Sequence, residues 1–219
     1  MSEPVPVSVR TRFERFPATV KGAFVIRGED SDPHQVVVRA GHVVRLPASP
    51  GRPLPLNAVT VDVPPHRDVF VPFELATSDL DPGWYAFEIE LDVDGSPRRM
   101  AGDRRFAIAW PRGSVRTGTV KVERAAKLGK AKVTVERLQL APEATTIRFS
   151  VRPPEPVDIR LDAGRSRLDV LAVDVDEETG EATAIAYPLR RSDQTLRIEF
   201  QHGRGRSGGD RADLTVQLP

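Results

Sequence analysis

The sequence contains no cysteine. That absence removes disulfides, zinc–thiolate centres, iron–sulfur ligation and cysteine nucleophiles from consideration. Long apolar runs are missing as well. No window approaches the roughly 18 consecutive apolar residues that a membrane-spanning helix needs. Asparagine occurs once, at Asn57, and Ala58-Val59 follow it, so there is no N-glycosylation sequon. At the N-terminus Glu3, Arg10, Arg12, Glu14 and Arg15 arrive before any apolar stretch of the roughly 7–15 residues that a secretory signal requires. Ser2 and the Gln217-Leu218-Pro219 tail lack the residues that lipid anchors use. An excess of one charge is absent too: 32 basic residues face 31 acidic ones, for a net charge of +1. Residues 1–112 carry net −1 and residues 113–219 net +2, so no basic domain or acidic tail separates out. This balance counts against nucleic-acid binding, which rests on a basic surface. The expected compartment is the cytoplasm, with no membrane contact. Lysine is scarce, 5 against 27 arginines, a bias expected of a GC-rich bacterial coding sequence.

What remains is a chain of 219 residues, 39% hydrophobic and 29% charged, a globular balance. Its apolar period is two almost everywhere. Val5, Val7, Val9, Thr11 and Phe13 alternate with polar residues, as do Val59, Val61 and Val63, and then Val69, Val71, Phe73 and Leu75. The clearest run is Tyr85, Phe87, Ile89, Leu91 and Val93, opposed by Glu88, Glu90 and Asp92. Such alternation predicts antiparallel strands with one face buried and one face in water. The 20 prolines and 16 glycines fall mostly between these runs, where turns are needed. About seven strand-like runs precede Pro111 and about eight follow it. Trp110-Pro111-Arg112-Gly113-Ser114 interrupts the pattern. The expected organisation is all-β: two tandem antiparallel β-sandwich domains, 1–112 and 113–219, each of the usual sandwich size. Helical spacing is best at Glu123–Leu128, where Gly129 stops it within two turns. Apolar parity switches near Glu136–Arg137, which a β-bulge explains. In Leu168–Val175 both parities are partly apolar, which predicts a strand buried on both faces.

Asp79-Leu80-Asp81-Pro82-Gly83-Trp84-Tyr85-Ala86-Phe87 resembles the corner leading into the sixth strand of immunoglobulin-like sandwiches. The resemblance implies that the Tyr85 hydroxyl hydrogen-bonds the backbone upstream, and that Phe87 replaces the second disulfide cysteine with an apolar contact. Pro65-His66-Arg67-Asp68-Val69-Phe70-Val71-Pro72-Phe73-Glu74-Leu75 is similar to a segment of arrestin-type sandwiches, which implies an adaptor that docks partners on strand edges. No functional residue is carried over from either likeness.

Several motifs fall short of the chemistry they hint at. Gly203-Arg204-Gly205-Arg206-Ser207-Gly208 matches G-x-G-x-x-G, and Gly205–Gly209 matches G-x-S-x-G. Both need a helix to follow, and Asp210–Val216 reads as a strand, so a hairpin loop is expected. The acidic run Asp174–Glu181 has Thr179 and Ile185 where a calcium loop needs Gly and Glu; it reads as a solvated hairpin tip. Asp92-Val93-Asp94-Gly95 reads as a tight hairpin turn. None of His34, His42, His66 and His202 stands two or four residues from another, so local metal ligation has no support, and a catalytic site assembled in space would centre on His66 or His202. Trp84, Trp110 and Tyr187 read as core or interface residues. Arg190-Arg191 forms one arginine grouping. The second, Arg98-Arg99 with Arg104-Arg105, flanks Gly102-Asp103 and offers a basic rim that fits phosphate or an acidic partner. Solvated charge that deters edge-to-edge aggregation is the plainer account of the same residues.

The sequence therefore predicts no catalytic residues, no cofactor and no metal. Its partner-binding residues are Arg98, Arg99, Arg104 and Arg105. The function expected is a non-enzymatic cytoplasmic interaction or scaffold protein. It would bind a protein partner, or a second copy of itself, through sheet edges or the interdomain groove. The alternative is a small-ligand module for a carbohydrate or a phosphate group, serving a separate enzyme.

Overall fold

The computed structural model describes residues 5–47, 50–202 and 210–219. It divides into two compact units, Met1–Ile108 and Ala109–Pro219, with the division just ahead of the Trp110–Ser114 interruption. Among the described residues all regular structure is β: seventeen strands, every pair of them antiparallel. No helix there is long and apolar enough to cross a membrane.

In unit 1, β1 (Val7–Arg15), β2 (Thr19–Gly28) and β6 (Asp68–Ala76) form one sheet in the order β1-β2-β6. The second sheet has the order β4-β3-β7-β8, with β5 also on β3; its strands are β3 (His34–Arg45), β4 (Arg52–Leu54), β5 (Val59–Val63), β7 (Gly83–Val93) and β8 (Ser96–Ile108). The alternating sets of both sheets meet in one core. Phe24 and Phe73 come from the first sheet, Phe87 and Phe106 from the second. Phe87 has its ring centroid 4.6 Å from Phe73 and 5.2 Å from Phe106. Tyr85, buried, donates its hydroxyl to the Asp81 carbonyl at 2.7 Å, so the backbone bond that the corner sequence implies is made. The β7–β8 hairpin closes on Asp94 (φ 49°) and Gly95 (φ 83°), two left-handed residues in sequence, as a two-residue turn requires.

In unit 2, one sheet has the order β14-β15-β11-β10-β9, from β9 (Gly118–Leu128), β10 (Ala131–Leu140), β11 (Thr145–Arg152), β14 (Val170–Val175) and β15 (Glu181–Ala186). The other has the order β13-β12-β16-β17, from β12 (Val157–Ala163), β13 (Ser166–Leu168), β16 (Thr195–His202) and β17 (Arg211–Gln217). Their shared core includes Phe149 against Phe200, ring centroids 5.4 Å apart.

Two expectations are corrected. Glu123–Leu128 is not helical; it is the end of β9, paired to β10. A six-residue helix cannot sustain itself, whereas the ladder to β10 satisfies the same backbone. Gly129 (φ 57°) turns the β9–β10 hairpin rather than ending a helix. Leu168–Val175 is not one strand buried on both faces. The chain changes sheets at Asp169: β13 pairs with β12 and β14 with β15, and neither is fully buried. The parity switch in β10 is a bulge. Val135 and Arg137 pair with Phe149 and Arg148, adjacent residues of β11, which leaves Glu136 over. Across the other edge Val122 and Glu123 together oppose Glu136, and Glu123 takes φ 48°. The acidic run forms the β14–β15 connection, where Asp176 Oδ1 accepts the N–H groups of Glu178 and Thr179 at 3.0 and 2.7 Å. The glycine-rich motif at 203–209 lies outside the described residues.

Replacing Tyr85 by Phe should lower the stability of unit 1 by roughly 1 kcal/mol, the worth of one satisfied buried hydroxyl. Thermal melting of the full chain measures it. An unchanged midpoint would show that the Tyr85–Asp81 bond does not hold the corner.

Candidate functional site

The four arginines singled out in the sequence all lie exposed on β8, and a bulge divides them. Ala86 pairs with Arg105 and Glu88 with Ala101, so Gly102, Asp103 and Arg104 together face the single residue Phe87. The bulge has a cause. Asp103 Oδ1 accepts the Thr11 N–H at 2.7 Å and the Thr11 hydroxyl at 3.2 Å, and the Arg104 N–H reaches the Thr11 Oγ1 at 3.2 Å. This clasp ties β8, the edge of one sheet, to β1, the edge of the other. Burial pushes the Asp103 carboxyl up, but the hydrogen bonds from Thr11 and from its own N–H, with the Arg104 charge, outweigh burial and hold it below the ordinary value of 3.8. Gly102 is needed at this crossing, since a Cβ there would lie 2.5 Å from Thr11 Cγ2.

The doublets therefore serve different surroundings. Arg99 sits on the Glu88 side of the bulge and gives both Nε (2.8 Å) and Nη2 (2.5 Å) to Glu88 Oε2. Arg98 stands opposite Leu91 on the other parity. Beyond the bulge, Arg104 borders a shallow depression with Arg12, Lys21 and Glu14.

A groove of about 680 Å³ runs along the other flank of unit 1, lined by Leu56, Val59, Val71, Pro72, Phe73 and Glu74. Its wall is β6, which among the described residues pairs only with β2 and so is a sheet edge. Pro72 lies midway along that edge and has no N–H to offer, which interrupts any ladder added there. Val59 at 39% and Phe70 at 51% exposure are the large apolar side chains most open to water near this edge. The Arg12 guanidinium lies 5.7 Å from the Phe70 ring centre, on the outer face.

Three of the four histidines, His34, His42 and His202, lie beside carboxylates. His34 is buried, with Nδ1 2.6 Å from Asp94 Oδ2 and Nε2 2.7 Å from Asp30 Oδ1. Both ring nitrogens face carboxylate oxygens, an arrangement that favours the imidazolium form. Asp94, the first turn residue of the β7–β8 hairpin, also accepts the Gln35 N–H at 2.9 Å. The hydrogen bonds to Asp94 and then to Asp30 raise the His34 pKa above its ordinary 6.5. The bond to His34 is in turn the main cause lowering both Asp30 and Asp94. Sequence reasoning missed this clasp, because Asp94 is remote in the chain and the histidine spacings were weighed only against one another, as metal ligands. His202 Nδ1 lies 3.1 Å from Glu155 Oε1, and His66 occupies a left-handed turn (φ 55°) with its N–H on the Gly28 carbonyl at 3.1 Å. Among the described residues no group of three or more His, Asp or Glu side chains is arranged to hold a metal ion.

No protein-family model and no curated protein matches the chain. Among solved structures, it is similar to "the conserved domain protein from Bacillus anthracis", with 10% identity and a TM-score of 0.35 over 100% of this chain and 89% of that one. A likeness at that score carries no argument about role. The class defined by the coordinates themselves is an all-β chain of several antiparallel sheets in two units.

The His34 clasp makes unit 1 sensitive to pH in a definite direction. A raised histidine pKa contributes stability that is complete below 6.5 and is lost as pH rises through the folded-state value. The lowered aspartates contribute above 3.8 and lose it as pH falls through their folded values. The margin in melting midpoint between wild type and His34→Gln should thus be widest between about pH 4 and 6.5 and narrow toward pH 9. A margin that stays constant from pH 6 to 9 would refute the assignment.

Proposed function

We propose that the chain is a non-enzymatic protein-interaction or scaffold protein of the cytoplasm, built of two immunoglobulin-like sandwiches. The observation that carries this reading is the groove beside β6. There an open sheet edge stands next to the apolar side chains of Leu56, Val59 and Val71. An extended partner segment gains main-chain hydrogen bonds on either side of Pro72, and apolar contact from its alternate side chains. Because Pro72 breaks the ladder, side-chain burial supplies more of the affinity than in an uninterrupted strand addition. The arrestin-type likeness of Pro65–Leu75 supports the same reading, since that segment contains most of β6. The Tyr85–Asp81 bond supports the immunoglobulin-like one. Arg98 and Arg104, exposed on the opposite flank, would steer an acidic partner; Arg99 is already engaged by Glu88.

A second reading, a small-ligand module for a carbohydrate or a phosphate group, is favoured by one observation. Arg112, Arg116 and Arg191 line a single cavity of unit 2.

The tagged full chain, passed through a lysate of its own source at low and at moderate salt, should retain one stoichiometric protein at both. Val59→Glu should lose it, because Val59 is exposed and its replacement puts a charge into the groove. A bare bait at both salts, or capture unaffected by Val59→Glu, would overturn docking at this edge. Turnover of ester, phosphate or glycoside substrates that single substitutions abolish would overturn the non-enzymatic reading.

A further inference from the structure

The cavity of unit 2 has a volume of about 580 Å³ and opens where the Arg112–Val120 segment meets Leu140, Pro142 and Arg191. Three arginines line it, Arg112, Arg116 and Arg191, and no aspartate or glutamate does. A short antiparallel contact assembles them from distant parts of the chain. Val115 bridges Arg190, the Arg116 N–H reaches the Leu189 carbonyl at 2.9 Å, and the Arg191 N–H reaches the Ser114 carbonyl at 3.1 Å. Arg116 is half-buried and anchored: its Nε donates to the Asp193 carbonyl at 2.6 Å and its Nη1 to the Pro219 carbonyl. The Asp193 carboxylate is turned to the backbone, where it accepts the Arg190 N–H at 2.7 Å. Among the described residues, neither Arg112 nor Arg191 makes a side-chain hydrogen bond or ion pair. Gly113 and Gly118, at φ 88° and 122°, also line the opening, and at each no atom lies within 4 Å of where a Cβ would stand.

Guanidinium stays charged at any physiological pH. Arg116 is engaged by Pro219 and Asp193, whereas Arg112 and Arg191 carry their charge into the cavity with no acidic side chain in its lining. The forked donors of guanidinium match the oxygens of a tetrahedral oxyanion. A carboxylate offers two oxygens and one charge, fewer than three guanidiniums can engage. A phosphate monoester offers three oxygens and nearly two charges. The volume falls within the roughly 300–1,000 Å³ of small-molecule sites, more than a bare phosphate fills. Val115, Val120, Leu140 and Pro142 add apolar surface that suits an organic body, beside the polar Thr117 and Thr119.

We infer that unit 2 binds a phosphorylated small molecule, its phosphate held by Arg112 and Arg191 beside the fixed Arg116, and its organic part against Val120, Leu140 and Pro142. The inference rests on the small-ligand reading and is independent of docking along β6.

Isothermal titration calorimetry of the full chain at fixed ionic strength tests it, with inorganic phosphate, phenyl phosphate and benzoate as probes. Saturable one-to-one binding of both phosphates is expected, with phenyl phosphate at least threefold tighter than inorganic phosphate and benzoate weakest. Arg112→Gln/Arg191→Gln should weaken phenyl phosphate at least tenfold while leaving the melting midpoint in place, because both side chains are exposed and unpaired. Arg112→Lys/Arg191→Lys, which keeps the charge and loses the fork, should fall between. Arg98→Gln/Arg99→Gln should change nothing. No saturable heat from either phosphate, benzoate binding as tightly as phenyl phosphate, undiminished binding by the double glutamine variant, or equal loss on replacing Arg98 and Arg99 would each overturn the proposal. A negative result here leaves the Val59→Glu capture experiment unaffected, so the two readings fail separately.

Discussion

Two sheets with no disulfide between them are held by the side chains of their shared core, and in unit 1 those side chains converge on Phe87. Its ring meets Phe73 from the opposite sheet and Phe106 from its own, with Phe13 and Phe24 edge-on. Fully burying one such ring contributes roughly 1.5–3 kcal/mol, and well-placed aromatic pairs add about 0.5–1.5 kcal/mol each. A cysteine-free chain thus concentrates its fastening in one aromatic cluster. The Tyr85 corner, two residues away, fixes the strand that delivers Phe87 to this place.

Once the faces are joined, the edges become the open question, and unit 1 treats its two flanks differently. Between β1 and β8 the edges are closed by a carboxylate: Asp103 takes the Thr11 N–H, and the bulge at Gly102–Arg104 exists to bring it there. The same bulge separates the arginine doublets, so a grouping that looks continuous in sequence is split by a structural need. Along β6 the edge stays open, and Pro72 interrupts it. An unprotected edge of that kind invites association. Here a proline withholds one N–H from that edge, and apolar side chains flank it.

Much of the fold was legible because strand alternation and turn chemistry are local. The runs from Tyr85 to Val93 and from Val69 to Leu75, the Asp94-Gly95 turn and the extra residue at Glu136 each announce themselves within a few positions. The failures share a cause. Arg124–Leu128 has helix-forming composition, yet its partner lies across the hairpin, and pairing overrode propensity. The crossing at Asp169 was hidden because two edge strands of different sheets run together with no turn residue between them. The sites were less legible still. His34 meets Asp94 across 60 positions, and Arg112 shares a cavity with Arg191 through a bridge between two loop segments. Nothing periodic connects such residues.

The crossing at Asp169 also has a mechanical meaning. Leu168 is the last residue laddered into one sheet of unit 2, and Val170 is the first laddered into the other. Two residue steps of extended chain span only about 7 Å. The sheets are therefore stapled at that corner by the backbone itself. Sliding one over the other would peel β13 from β12 or β14 from β15 before the core had moved by a full strand spacing. At the far side of the sheets, away from Asp169, the two edges are joined by a side chain instead: Arg124 of β9 donates Nη1 to the Thr215 carbonyl of β17 at 2.7 Å.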